Sequence, residues 1–312
     1  MAKRGVKVEI KELESAVEEV VGRMGVIERF GKAADHIEGL AEIDTDRFGI
    51  AVVTDGGATV TGGEADEPFA IQSISKVFGL TLALQAFGDE VWKRVGREPS
   101  GDPFNSIVDL ERQKGIPRNP FINPGAIVVS DMLLDISAKS DTNKTVREFL
   151  ADQIGEDVGI DRKVFDKESS SGFNNRAMAN LCKSFGNLNH EVEAVMKPYV
   201  SQCAIALSAR QLALAGRYLM DGGDKPTDQQ RLLARRVNSL MLTCGQYDGS
   251  GEFAFRVGLP AKSGVGGGIL AIAPGVASIG VWSPGLDDNG NSLLGTLALE
   301  QLAERMGWSV FG

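Results

Sequence analysis

Ile10, Leu13, Ala16, Val17, Val20 and Val21 recur at helical spacing within residues 9–24, which predicts an amphipathic helix with an acidic outer face. Residues 48–54 (F-G-I-A-V-V-T) are a continuous apolar run of strand length. Asp55-Gly56-Gly57 is a hairpin signal, and Ala58 to Thr61 reads as the return strand. A helical pattern then begins at Ser73 and extends to about Ala86. Between about 98 and 245 the pattern is nearly all helical. The candidates are Gly125 to Ile136, Thr145 to Ile154, Asn175 to Phe185, His190 to Tyr199, Ala209 to Met220 capped by Ser208, and a helix from Thr227 to about Leu242. Strands return late: Phe253 to Val257, Gly268 to Pro274 and Val276 to Trp282, with Pro274-Gly275 as a turn. Ser292 to Met306 closes the chain as a helix.

Strands near both ends and helices between them predict an α/β (α+β) fold, with a mainly antiparallel sheet built from both chain ends, flanked by helices. The expected organisation is a single domain over 1–312, with a sheet lobe of about 25–97 and 246–312 and an inserted helical lobe of about 98–245. A cleft between two lobes is the default ligand site. Ser73 falls where the sheet lobe gives way to the insertion.

Composition removes several function classes. The 312 residues are 43% hydrophobic and 24% charged, with a net charge of −9, which argues against nucleic acid or an anionic membrane as partner. The basic residues are scattered, and the densest pair, Arg235-Arg236, reads as a solvated helix face. No apolar run reaches the roughly 18 residues of a membrane span, and the basic N-terminus has no apolar stretch behind it. A cytoplasmic location is the expectation. Cys182, Cys203 and Cys244 lack disulfide or metal spacing and read as small buried hydrophobes. No metal and no cofactor are expected. With only His36 and His190 and no G-x-S-x-G, a Ser-His-Asp triad has little support. Proton transfer would fall to lysine or to Tyr199, Tyr218 or Tyr247.

Ser73 and Lys76 are three residues apart, so a helix brings them to one face. A serine becomes a nucleophile when a neighbouring base takes its proton. Lysine can act so only where burial lowers its pKa, by roughly 3–5 units at most. Ile71, Ile74, Val77, Phe78 and Leu80 provide apolar surroundings. Far along the chain, Lys262-Ser263-Gly264 lacks the glycine pattern of a P-loop. S-x-x-K followed by K-[ST]-G is instead the paired signature of serine β-lactamases and penicillin-binding proteins.

Longer segments narrow this further. Residues 71–76 (I-Q-S-I-S-K), 98–101 (E-P-S-G), 121–129 (F-I-N-P-G-A-I-V-V), 244–248 (C-G-Q-Y-D), 251–265 (G-E-F-A-F-R-V-G-L-P-A-K-S-G-V) and 282–284 (W-S-P) together resemble the serine-dependent glutaminases, from about Gly31 to Ser283. The resemblance implies a β-lactamase-like fold and hydrolysis of L-glutamine to L-glutamate and ammonia without metal or cofactor. Ser73 matches the nucleophile and Lys76 its lysine, with Tyr247 or Tyr199 as relay. Asn123, Glu168, Asn175, Tyr199 and Tyr247 match substrate contacts, and Val265 the residue whose N–H completes the oxyanion hole. A homo-oligomer, tetramer or dimer, is also implied. His36 departs from the pattern: it stands where the family has tyrosine near the substrate, so it is carried as a substrate-site candidate. A serine run, Ser169-Ser170-Ser171, follows Glu168. Glutamine's ammonium suits Glu168, and its carboxylate suits the amide and phenol donors. Two other readings stay open: a different β-lactamase-like serine hydrolase, or a non-catalytic glutamine- or glutamate-binding protein.

Overall fold

The structure is a computed structural model that describes residues 8–27, 31–34, 39–41, 43–100, 107–139, 145–221 and 226–312. Helix α1 (Ile10–Met24) buries Leu13, Ala16, Val17, Val20 and Met24, the face that the apolar spacing predicts. Strands β1 (Gly49–Thr54) and β2 (Thr59–Gly63) form the predicted hairpin. A two-residue strand, β3 (Phe69–Ala70), leads into a 3-10 turn, Gln72–Ile74, and then α2 (Ser75–Phe87), whose residues 75–84 are all buried. The helical part follows with α3 (Ile107–Arg112), α4 (Asn123–Lys139), α5 (Val146–Ile154), β4 (Gly159–Ile160), α6 (Arg162–Ser171), α7 (Phe173–Ser184), α8 (Val192–Cys203), β5 (Ile205–Leu207), α9 (Ala209–Ala215), α10 (Tyr218–Asp221) and α11 (Asp228–Cys244). The chain ends with α12 (Ser250–Arg256), β6 (Ala261–Ser263), β7 (Gly268–Ala273), β8 (Ala277–Trp282) and α13 (Leu293–Met306).

The main sheet has the order β2-β1-β8-β7-β6 and is antiparallel throughout. The first strands therefore pair with the last ones, as the placement of strands at both ends predicts. Alternation along β7 and β8 splits the core. Ile269, Ala271, Ile279 and Val281 pack with α1 and α13 on one face, while Leu270 and Ile272 join the helical side on the other. On that side Gly280 lets α9 touch the sheet: an added Cβ would stand 2.2 Å from the Ala209 carbonyl. A small sheet, β3-β5-β4, anchors the entry to the 3-10 turn, since Ile71 N–H donates to Ile205 O at 2.8 Å.

Three helix starts follow their sequence signals. Thr145, Ser208 and Thr227 each cap a helix within a reciprocal capping box with Glu148, Gln211 and Gln230. Two expectations fail. Phe253 to Val257 is not a strand but belongs to α12 and its C-cap: Phe253 and Val257, four apart, are buried, whereas Phe255 is 87% exposed. The helix expected to run unbroken to Met220 stops at Ala215, and Gly216 after it lies so close to the sheet that an added Cβ would stand 2.5 Å from Ser278 Oγ. Arg236 also leaves the solvated-face expectation in part: it is half-buried and pairs with Asp89 at 2.8 Å.

Candidate active site

Ser73 sits in the 3-10 turn rather than on the following helix, and is 9% exposed. Gln72 before it has φ +50°, a left-handed conformation that costs a non-glycine residue about 1–2 kcal/mol. Ser75 secures that turn by donating its hydroxyl proton to Gln72 O at 2.8 Å. The end of β6 runs against the turn. An added Cβ at Gly264 would lie 2.4 Å from Ile71 O, so glycine is what lets residues 263–265 approach the serine.

Lys76 is 2% exposed among Ile71, Ile74, Val77, Phe78 and Leu80, each 0% exposed. Its Nζ donates to Asn123 Oδ1 at 2.6 Å and to Phe121 O at 3.2 Å. Those acceptors are placed by Asn119, whose Oδ1 accepts from the N–H groups of Phe121 and Ile122 at the start of α4. Burial lowers the Lys76 pKa to about 8, against smaller opposing effects of Cys203 and Glu168. About one Lys76 in ten is then neutral at pH 7, several hundredfold more than for a free lysine.

Asn123 continues the network, its Nδ2 donating to Asn175 Oδ1 at 3.0 Å. Asn175 lies in the first turn of α7 rather than at its cap. Glu168, on α6, hydrogen-bonds with Gln72 and feels the charge of Lys76; burial nevertheless raises its pKa to about 7. Tyr199 on α8 is 3% exposed, and its phenol is held well above its ordinary pKa by burial, then by Cys203, Glu168 and Tyr247. Tyr247 has φ +50°, and its hydroxyl meets the hydroxyls of Ser73 and Ser263 and the N–H of Val265. Burial outweighs those bonds and raises its pKa to about 12. Seven of the predicted residues, Ser73, Lys76, Asn123, Glu168, Asn175, Tyr199 and Tyr247, therefore meet, with Val265 at the edge. His36 lies outside the described residues.

Four further side chains join them. Gln72 reaches Glu168. Cys203 is buried beside Lys76 and Glu168 and bonds with Ser75, its thiol pushed up to about 12 by burial. Lys262 is fully buried, donates to Gly245 O at 3.0 Å and Ser263 O at 2.7 Å, and holds its Nζ 4.3 Å from the Tyr247 ring centroid. Burial, then the charge of Lys76, lowers its pKa well below the usual lysine value. The Ser263 hydroxyl is the fourth. Lys262 and Ser263 are in the K-[ST]-G signal, but the resemblance assigns a role there only to the backbone of the following Val265; Cys203 has no sequence signal.

A lysine buried against Phe121 O and Asn123 Oδ1, a serine on a strained turn and a facing K-S-G strand fit a hydrolase of the β-lactamase-like fold. The sequence profile of the glutaminase family matches residues 31–311. A glutaminase of Mesorhizobium japonicum is 54% identical over 306 residues, covering 96% of each chain, and one of Rhodopseudomonas palustris (strain HaA2) is 54% identical over 305 residues, covering 96% of this chain and 98% of the relative. Among solved structures, the probable glutaminase ybaS superposes with a TM-score of 0.88 at 34% identity, over 97% of this chain and 99% of the other. Mglu in its glutamate form gives 0.87 at 35% identity, over 95% and 69%. The chain belongs to the glutaminase family.

Proposed function

We propose that the protein hydrolyses L-glutamine to L-glutamate and ammonia through an acyl-enzyme on Ser73. The observation that carries this is Lys76: buried, partly neutral near pH 8, and fixed by Phe121 O and Asn123 Oδ1 one helical turn from the serine. Ser73 Oγ attacks the side-chain amide carbon. Tyr247, which touches the hydroxyl, accepts its proton while passing its own to neutral Lys76, and the same exchange in reverse protonates the leaving ammonia. The N–H groups of Ser73 and Val265 take the oxyanion. Water then releases glutamate by the reverse exchange. Glu168 receives the substrate ammonium. Asn123 gives its Oδ1 to Lys76 and one amide N–H to Asn175, which leaves its second N–H and the Asn175 N–H₂ to donate to the substrate carboxylate. Cytoplasmic placement and assembly as a dimer or tetramer follow the family pattern; cell fractionation and light scattering test them.

Ammonia release from glutamine, with asparagine turned over at least about tenfold more slowly, is the expected outcome, because one methylene fewer moves the amide away from Ser73. Hydrolysis of a chromogenic β-lactam without glutamine turnover would transfer the reading to the wider fold class, and glutamine binding without ammonia release would make the protein a sensor.

The carboxylate of Glu168 adds a pH dependence. Its pKa of about 7 means the empty site holds a proton at acid pH, which the substrate ammonium must displace. The expected kcat/KM therefore falls as pH drops through about 7 by a rising KM, on top of the fall in kcat below about pH 8 as Lys76 gains its proton. Because the folded pKa is raised, its stabilising share is present below the usual carboxylate pKa of about 4.5 and is lost as pH rises through 7. Glu168→Gln is thus expected to flatten that decline in a thermal melt while raising KM. A melt with the wild-type pH slope contradicts this assignment.

A further inference from the structure

Asn291 stands in none of the segments that carry the glutaminase resemblance, yet it ties two walls of the site together. It is 4% exposed, in the turn that follows β8. Its N–H donates to Asp287 Oδ1 at 2.9 Å, and its carbonyl accepts from Asp287 N–H at 2.8 Å, so its backbone is fixed. Its Nδ2 donates to Gln246 O at 3.1 Å. A carbonyl can only accept, so this bond orients the amide and turns Oδ1 toward Ser263, whose hydroxyl donates to it at 2.6 Å.

The Ser263 proton is thereby committed to Asn291, and the Ser263 hydroxyl oxygen faces the Tyr247 hydroxyl, which also lies beside the Ser73 hydroxyl and Val265 N–H. Asn291 also holds the carbonyl of Gln246, the residue before Tyr247, whose φ of +50° needs support from its surroundings. Ser250 shares that support: Gln246 N–H donates to Ser250 Oγ at 3.0 Å, and Ser250 donates to Tyr247 O at 2.8 Å.

We propose that Asn291 is a positioning residue for the reaction, tying the Ser263 end of β6 to the Gln246 carbonyl and so holding Tyr247 against the serine. The assignment rests on the Ser73 acyl-enzyme reading. Asn291 touches no substrate and acts through Ser263 and Gln246.

Asn291→Leu keeps the size and removes both bonds. Asn291→Asp separates position from charge. A neutral carboxylic acid copies the amide, accepting from Ser263 and donating O–H to Gln246 O. A carboxylate cannot donate, and faces the Gln246 carbonyl with repulsion. Burial and the Asp287 carboxylate nearby favour the neutral acid; Lys262, on the other side of Ser263, works against it. The experiment is glutamine turnover of both variants from pH 6 to 9, each divided by wild type at the same pH, with L-glutamate binding measured by calorimetry. Asn291→Leu is expected to lower kcat about 100-fold, the lower range for a proton-transfer group, with glutamate affinity within about threefold. Asn291→Asp is expected within about threefold of wild type at pH 6, with the ratio falling at least about tenfold by pH 9. Wild-type kcat in Asn291→Leu, or a flat ratio in Asn291→Asp, overturns the proposal. If circular dichroism shows Asn291→Leu unfolded, the Asn291→Asp ratio alone decides. Failure here with an inactive Ser73→Ala leaves the acyl-enzyme intact; an active Ser73→Ala removes the acyl-enzyme itself.

Discussion

Ser73→Ala is expected to lower ammonia release from glutamine by about 10⁴-fold or more, with glutamate still bound and the fold unchanged. The size follows from the role: with no oxygen to acylate, only binding and the oxyanion donors remain to accelerate direct attack by water. The fold should survive because the turn does not depend on this hydroxyl. Gln72 and Ile74 are fixed by Ser75 Oγ and by Ile74 N–H to Ile71 O at 3.1 Å. Tyr247 keeps Ser263 and Val265 as partners. Steady-state ammonia release and a thermal melt measure both halves. A variant that retains a tenth of the activity contradicts the mechanism.

Lys76→Met is expected to reduce kcat by about 10³–10⁴-fold, the range for a lost proton-transfer group. Its effect on stability has a defined sign. The folded pKa of about 8 lies below the ordinary lysine value of 10.5, so the folded protein carries fewer protons than the unfolded chain between them. Wild-type stability therefore gains from this group as pH rises from about 8 to 10.5. The full gain is on the order of 3 kcal/mol. The methionine variant lacks that slope. It also leaves Phe121 O and Asn123 Oδ1 without a donor, which costs about 1–3 kcal/mol for each buried group. Denaturant melts at pH 8 and 10 show whether the slope disappears; an unaltered slope contradicts the lysine assignment.

Much of the architecture was legible because its signals are local. The capping boxes at Ser208 and Thr227 are four-residue patterns, and the α1 stripe is a period of 3.6 that its burial repeats. The 253–257 segment misled because phenylalanines two apart imitate a strand. The decisive spacing was four, between Phe253 and Val257. Helix α6 went unread. Its one fully buried residue is Val164, and its last turn is Ser169-Ser170-Ser171, so periodicity had little to register, although Asp161 caps it. That helix delivers Glu168.

At the site, Ser73 and Lys76 were legible because they are neighbours on the chain. The other functional positions came from the likeness of whole segments to a family. What neither source could supply is pairing over long separations: Gln72 with Glu168, Asn123 with Asn175, Lys262 under the ring of Tyr247, and Asn291 between Ser263 and Gln246. Each pair is made by tertiary packing. The strain at Gln72 and Tyr247, both at φ +50°, is likewise a property of the folded chain, and it clusters where the chemistry is placed.

The most direct test of the account is a rapid acid quench of the enzyme during glutamine turnover, followed by intact-mass and peptide analysis. The account predicts a glutamyl ester on the peptide that contains Ser73, absent in Ser73→Ala and absent without glutamine. Steady turnover with no covalent species, or a glutamyl group on any other residue, would contradict it.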